Sequence, residues 1–186
     1  MSDSPFLWYL NRATGSVLMV LFTLVVVLGL LATFGRAGRG PRVPRFVTQA
    51  LHRQVTLVAV ALLAGHVATA VLDTFVDIRW WQAVVPFGAS YKPLWLGLGA
   101  VSLDLIALVV VTSLARTRLG HRSWRTVHVL GYAAWASALV HGYGIGTDSG
   151  QTWSRELTLG CAALVVVVGL ARVVSLVRTR RLQEAR

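Results

Sequence analysis

Apolar runs close to twenty residues long recur along this chain, each closed by a short stretch rich in arginine, glycine, proline or tryptophan. A hydrocarbon core of about 30 Å takes roughly 20 helical residues to cross, so the pattern predicts a set of membrane-spanning helices. Five spans are expected, over residues 14–34, 48–72, 93–115, 123–143 and 157–177. The fold class is therefore all-α, a polytopic membrane helix bundle forming one domain over residues 1–186. Residues 73–92 make a long connection for two helices. Its segments Arg79-Trp80-Trp81-Gln82 and Val84-Val85-Pro86-Phe87 are too short and broken to cross. They are expected to lie against the outer surface, where tryptophan prefers to sit, as an aromatic belt, as a cap over an outer cofactor, or as both.

Composition agrees with the pattern: 55% of residues are hydrophobic and only 13% charged. The formal charge of +11 raises the thought of a nucleic-acid binder, but its distribution excludes one. Fourteen of the 18 basic residues fall in three places. The first holds Arg36, Arg39, Arg42, Arg45 and Arg53; the second Arg116, Arg118, Arg122 and Arg125; the third Arg172, Arg178, Arg180, Arg181 and Arg186. The intervening connections carry Arg12, Arg79, Lys92 and Arg155 against Asp3, Asp73, Asp77, Asp148 and Glu156. Alternation of this kind is the positive-inside rule. It predicts the N-terminus outside and the C-terminus cytoplasmic, in a multi-pass protein of the cell membrane, the bacterial cytoplasmic membrane. The first run is read as a retained span, since it is long for a signal sequence and its basic cluster follows it. The lone Cys161 excludes an intrachain disulfide.

Four histidines fall inside the predicted spans: His52 and His66 on the second, His128 and His141 on the fourth. Intramembrane groups of this kind are costly and mark functional sites by default. Both spans enter from the inside, so equal depth pairs His52 with His128 near the inner face and His66 with His141 near the outer. At about 1.5 Å per residue the two levels lie roughly 20 Å apart. One neutral imidazole from each of two helices is a natural axial pair for a haem iron. Zinc wants three or four ligands at one depth, often with cysteine or carboxylate, and each level offers only two histidines. The metal ligands expected are therefore His52, His128, His66 and His141, as haem iron axial ligands. The 14-residue step between His52 and His66 returns to within about 40° of one face, whereas the 13-residue step from His128 to His141 leaves about 140°. Either the fourth helix is locally distorted, or two haems approach it from different sides. Gly65, Gly131 and Gly142 are the small neighbours expected to let a flat macrocycle near. His121, in the basic loop, is read as solvated.

These spans resemble a known family. The two histidine-bearing helices, with thirteen and twelve intervening residues, look like the membrane domain of ferric reductases and NADPH oxidases. Trp124-Arg125-Thr126-Val127-His128, followed by Tyr132 and His141-Gly142, is similar to stand-alone bacterial members, which include the haem-binding membrane subunit of the methionine sulfoxide reductase system. The resemblance runs from about Trp8 to the end of the last span. It implies two haem b groups, each held by two histidines, that carry electrons across the membrane. The chain departs from the family in having five spans rather than six and no flavin or nicotinamide domain. The missing dehydrogenase leaves the donor, and hence the substrate, open.

Haem propionates need cationic partners; Arg53 and Arg125 beside the inner histidines are the cofactor-binding candidates, with Arg122 weaker, and Arg12 and Arg155 serve on the outer side. Trp135, midway between His128 and His141, is read either as an aromatic group between the haems or as packing. Asp104, in the middle of the third span, is expected to make a polar contact or relay a proton. Two functions remain. The first is a di-haem b-type electron-transfer protein, the membrane component of an oxidoreductase, in contact with the lipid bilayer. It would take electrons from a separate flavoprotein or quinol and pass them to an outer-face flavin protein, metal ion, oxygen or periplasmic reductase, with a flavin or quinone supplied by a partner. The alternative is a haem-free scaffold or transport subunit with structural histidines.

Overall fold

The computed structural model describes residues 6–34, 44–74, 76, 78–146, 148 and 150–184. Asp3, Arg36, Arg39, Arg42, Asp77 and Arg186 from the charge pattern lie outside them. Helices α1 (Phe6–Phe34), α2 (Arg45–Leu72), α3 (Pro93–Leu114) and α7 (Thr152–Glu184) are long and apolar enough to cross a membrane. Between α3 and α7 come three shorter helices, α4 (Arg116–Leu119), α5 (His121–His128) and α6 (Leu130–Ile145). No strand occurs among the described residues.

The expected span 123–143 is not one continuous helix. It breaks at Val129, and α6 alone, with 16 residues, covers only about 24 Å at about 1.5 Å per residue. Helices α1 and α7 begin ahead of the expected 14 and 157, so Trp8, Asn11 and Arg12 are helical. Local chemistry sets several other ends. Pro44 precedes α2, Pro93 opens α3 at its first turn, where a missing N–H costs nothing, and Gly120, at φ 72°, separates α4 from α5.

Helices α1 and α2 pack antiparallel along their lengths, and so do α3 and α6; α1 also touches α6 and α7. Hydrogen bonds between spans fix the register. Asn11 Nδ2 donates to His66 O (2.8 Å) and Thr69 Oγ1 (3.1 Å), while Ser102 donates to Ala134 O (2.9 Å) and Ser137 to Leu98 O (2.7 Å). Among the described residues α2 makes no close backbone contact with α3, α5, α6 or α7. A cleft therefore opens between α2 on one side and the α3–α6 pair on the other, with α1 as its back wall.

The connection after α2 holds a short 3-10 turn, Trp80–Ala83, in which Arg79 N–H bonds Gln82 Oε1 at 2.9 Å. Val76, Ile78, Ala83 and Tyr91 of this connection line the cavity at that end of the cleft, and Trp80 is 73% exposed. Lys92 Nζ donates to Gly144 O and Ile145 O, both at 3.3 Å, placing a cation on the carbonyl end of α6. The loop thus both closes one end of the cleft and presents an aromatic ring outward.

Candidate functional site

The four histidines fall into two groups along that cleft. His52 on α2 faces His128 at the end of α5, with ring centres 6.1 Å apart and planes at 67°. His66 and His141 line one cavity of about 270 Å³ together with Gly15, Gly99, Arg12 and Trp135. Rings of the first pair face each other and members of the second share a cavity, each pair joining residues that the sequence reading sets at equal depth.

Each histidine is gripped at Nδ1 by a neighbouring helix. His52 Nδ1 lies 2.9 Å from Val25 O, His66 Nδ1 3.1 Å from Asn11 O, and His141 Nδ1 2.7 Å from Trp95 O. A carbonyl only accepts, so in all three the proton sits on Nδ1 and Nε2 keeps its lone pair. Thr14 Oγ1 adds a second contact to His66 Nδ1 at 3.2 Å, its own proton being committed to Leu10 O or Asn11 O. His128 differs: its Nδ1 meets the Ser113 hydroxyl at 3.4 Å. Among the described residues no hydrogen bond reaches any of the four Nε2 atoms.

The three carbonyl grips share one construction. A glycine stands one helical turn after the accepting carbonyl: Asn11 with Gly15, Val25 with Gly29, Trp95 with Gly99. A helical side chain covers the turn N-terminal to its own Cα, so a glycine at that place uncovers the flank of the carbonyl one turn earlier. The imidazole fills the notch. A Cβ on Gly15 would stand 3.2 Å from His66 Cε1, one on Gly29 3.4 Å from His52 Cε1, and one on Gly99 2.6 Å from His141 Nδ1. The notch glycines are a different set from Gly65, Gly131 and Gly142, which were expected to leave room beside the helices. Gly65 and Gly131 face open space, and Gly142 abuts Met19 Cε. The missed signal was a shared spacing: the interval from Gly15 to Gly29 equals that from His52 to His66.

The same spacing explains the broken helix. From Trp95 to Val109, the carbonyl one turn before Ser113, α3 advances by that same interval, while the step from His141 back to His128 is one residue shorter. Tyr132 N–H bonds Val129 O, a tightened turn, at 3.1 Å. Each residue in 3-10 geometry gains about 0.5 Å of rise and about 20° of rotation over an α-helix. One such residue recovers about 0.5 Å and about 20°, part of what the shorter step leaves, and turns His128 and His141 toward a common side. Of the two expectations for the shorter step, the local distortion is the one observed.

Other candidates are placed less centrally. Arg53, Arg125, Arg122 and Arg155 are exposed. Arg12 lines the cavity, pairs with Asp148 and lies 4.2 Å over the Trp8 ring. Trp135 Nε1–H donates to Thr23 Oγ1 at 3.0 Å, and Thr23 lies between Gly15 and Gly29 on α1, so the indole is anchored between the two levels. Asp104 is exposed, with no hydrogen bond or ion pair among the described residues; the polar contact expected of it is not formed there. His121 is exposed as expected, its ring 5.6 Å from that of Trp124. No family model, curated protein or solved structure matches the chain.

Proposed function

We propose that the chain is a transmembrane di-haem cytochrome b, the haem-carrying membrane component of a ferric reductase-like oxidoreductase. The observation that carries this reading is the facing of paired histidines across a cleft, with Nδ1 engaged and Nε2 free. Metal-binding histidines characteristically donate their other ring N–H to a carbonyl, which fixes the tautomer and raises ligand basicity. A metal–imidazole bond is about 2 Å and the ring centre lies about 1 Å behind the bonding nitrogen, so two imidazoles on opposite sides of one iron have centres about 6 Å apart. The 6.1 Å between His52 and His128 fits that arrangement, and the missing backbone contact between α2 and α3–α6 leaves room for a flat group edge-on.

In this reading His52 and His128 hold the inner haem, His66 and His141 the outer. When bound, haem supplies one-electron chemistry at iron, with its potential set by ligands, burial and hydrogen bonds. The residues of the chain do the rest. The three notches orient imidazoles, Arg53 and Arg125 offer charge to inner propionates, and Arg12 does so outside. Trp135, pinned by Thr23, fills the space between levels. The crossings number five, with α5 and α6 acting together as one broken span, the N-terminus outside and the C-terminus cytoplasmic, in a bacterial cytoplasmic membrane. A separate flavoprotein or quinol is the donor; the acceptor is an outer-face flavin protein, metal ion, oxygen or periplasmic reductase.

The test is optical. Protein purified from haem-replete cells should be red, with a Soret band that shifts on dithionite reduction. A colourless preparation defeats the reading and favours the haem-free scaffold.

A further inference from the structure

His128 is the exception among four otherwise similar ligands, and the exception has a sequence cause. Gly15 and Gly29 repeat along α1 at a fixed interval; the same interval counted on from Gly99 in α3 reaches Ser113. Ser113 thus stands where a fourth notch glycine belongs. The likeness extends to its surroundings. Thr14, before Gly15, donates to Leu10 O (2.8 Å) or Asn11 O (2.9 Å), and Thr112, before Ser113, donates to Leu108 O (2.7 Å) or Val109 O (3.2 Å). Val109 therefore corresponds to the gripping carbonyl of Asn11. With a side chain at 113 its flank is covered, and the hydroxyl meets His128 Nδ1 in its place, at 3.4 Å.

A hydroxyl, unlike a carbonyl, can donate or accept. Trp124 narrows that freedom. Its Nε1–H donates to Ser113 Oγ at 3.2 Å, and its ring stacks on His128 with centres 4.9 Å apart and planes at 29°. One lone pair of Ser113 is thereby taken; with His128 Nε2 on iron, Nδ1 carries the proton and donates to the remaining lone pair, while the indole face limits rotation of the imidazole.

We infer that Ser113, set by Trp124, is the positioning residue of the inner haem ligand His128, and that replacing a carbonyl by a hydroxyl makes this the weaker of the inner centre's two grips. The inference rests on the di-haem reading and deepens it. A stronger hydrogen bond from Nδ1–H makes the imidazole a better donor to iron and favours the ferric state, lowering the potential. The inner centre is thereby held at a higher potential than a fourth carbonyl notch would give it.

The experiment is a redox titration of purified protein, followed optically and by low-temperature electron paramagnetic resonance, on wild type and three variants at position 113. Ser113→Gly uncovers the Val109 carbonyl and should lower the inner potential. Ser113→Ala keeps the carbonyl covered and removes the hydroxyl, and should raise it. Ser113→Thr should stay near wild type, and the outer centre should stay fixed throughout. Shifts of Gly and Ala in the same direction, or no shift in either, overturn the inference, because a packing defect alone gives no opposite signs. Loss of the inner haem in Ser113→Ala supports it if Ser113→Thr retains that haem, and overturns it if both lose it. A wild type without haem is a different result: it sinks the di-haem reading itself.

Discussion

The outer and inner histidine levels are built on one plan and finished differently. At the outer level both imidazoles are gripped by backbone carbonyls, at 3.1 and 2.7 Å. That level also has an enclosing cavity, the Arg12–Asp148 pair and the connecting loop over it. At the inner level one grip is a carbonyl and the other a serine hydroxyl at 3.4 Å. A tryptophan stacks on that histidine, the helix breaks just after it, and the nearby arginines are exposed. Two centres with the same ligand type can thus differ through hydrogen bonding and enclosure alone. On the di-haem reading, that difference separates the potentials of the two centres.

The sharpest way to break the comparison is to remove one level at a time. His66→Ala or His141→Ala should abolish the outer centre and keep the inner; His52→Ala should do the reverse, each seen as the loss of one of two reduction steps. Loss of both centres from any single change would mean that the levels are not independent. Next in size is Gly99→Ala, whose Cβ would stand 2.6 Å from His141 Nδ1. Forcing a methyl into a packed contact costs about 1–3 kcal/mol, so the outer centre should be lost or strongly shifted. An unchanged outer spectrum would show that the notch is only packing.

Gly15→Ala and Gly29→Ala meet their histidines at 3.2 and 3.4 Å, so each should perturb only its own level, outer and inner respectively, and less than Gly99→Ala does. Equal effects at both levels would contradict the notch assignment. Smallest is Trp135→Phe, which removes the Nε1–H bond to Thr23. Interhelical hydrogen bonds in membranes average about 0.6 kcal/mol, so thermal stability should fall slightly while both centres persist; a change confined to one centre would place the indole at that level.

The helical character, the loop at one end of the cleft and the matched depths of His52 with His128 and His66 with His141 were legible because hydropathy and a constant helical rise act locally along one chain. The single fourth helix was not, although its cause was visible as a histidine step one residue shorter than that of the second span. Deciding between a distortion and an azimuthal offset needed the register of α3, a partner that periodicity does not identify. The notch glycines were missed for a related reason. Gly65, Gly131 and Gly142 neighbour the histidines in sequence, whereas Gly15, Gly29 and Gly99 neighbour them in space. Arg53 and Arg125 were legible as charge near the inner histidines, and both are exposed, with no interhelical partner among the described residues to fix their direction. Ser113 carries no signal until the three notch glycines are known.

The central claim is that two separate pairs of histidines each hold one haem. Quantifying haem per chain as the pyridine complex tests it most directly, in wild type, His52→Ala and His66→Ala reconstituted under equal haem supply. The account predicts about two haems for wild type and about one for each variant, with the haem lost from a different level in each. One haem or none in the wild type, or the same residual spectrum in both variants, would contradict it.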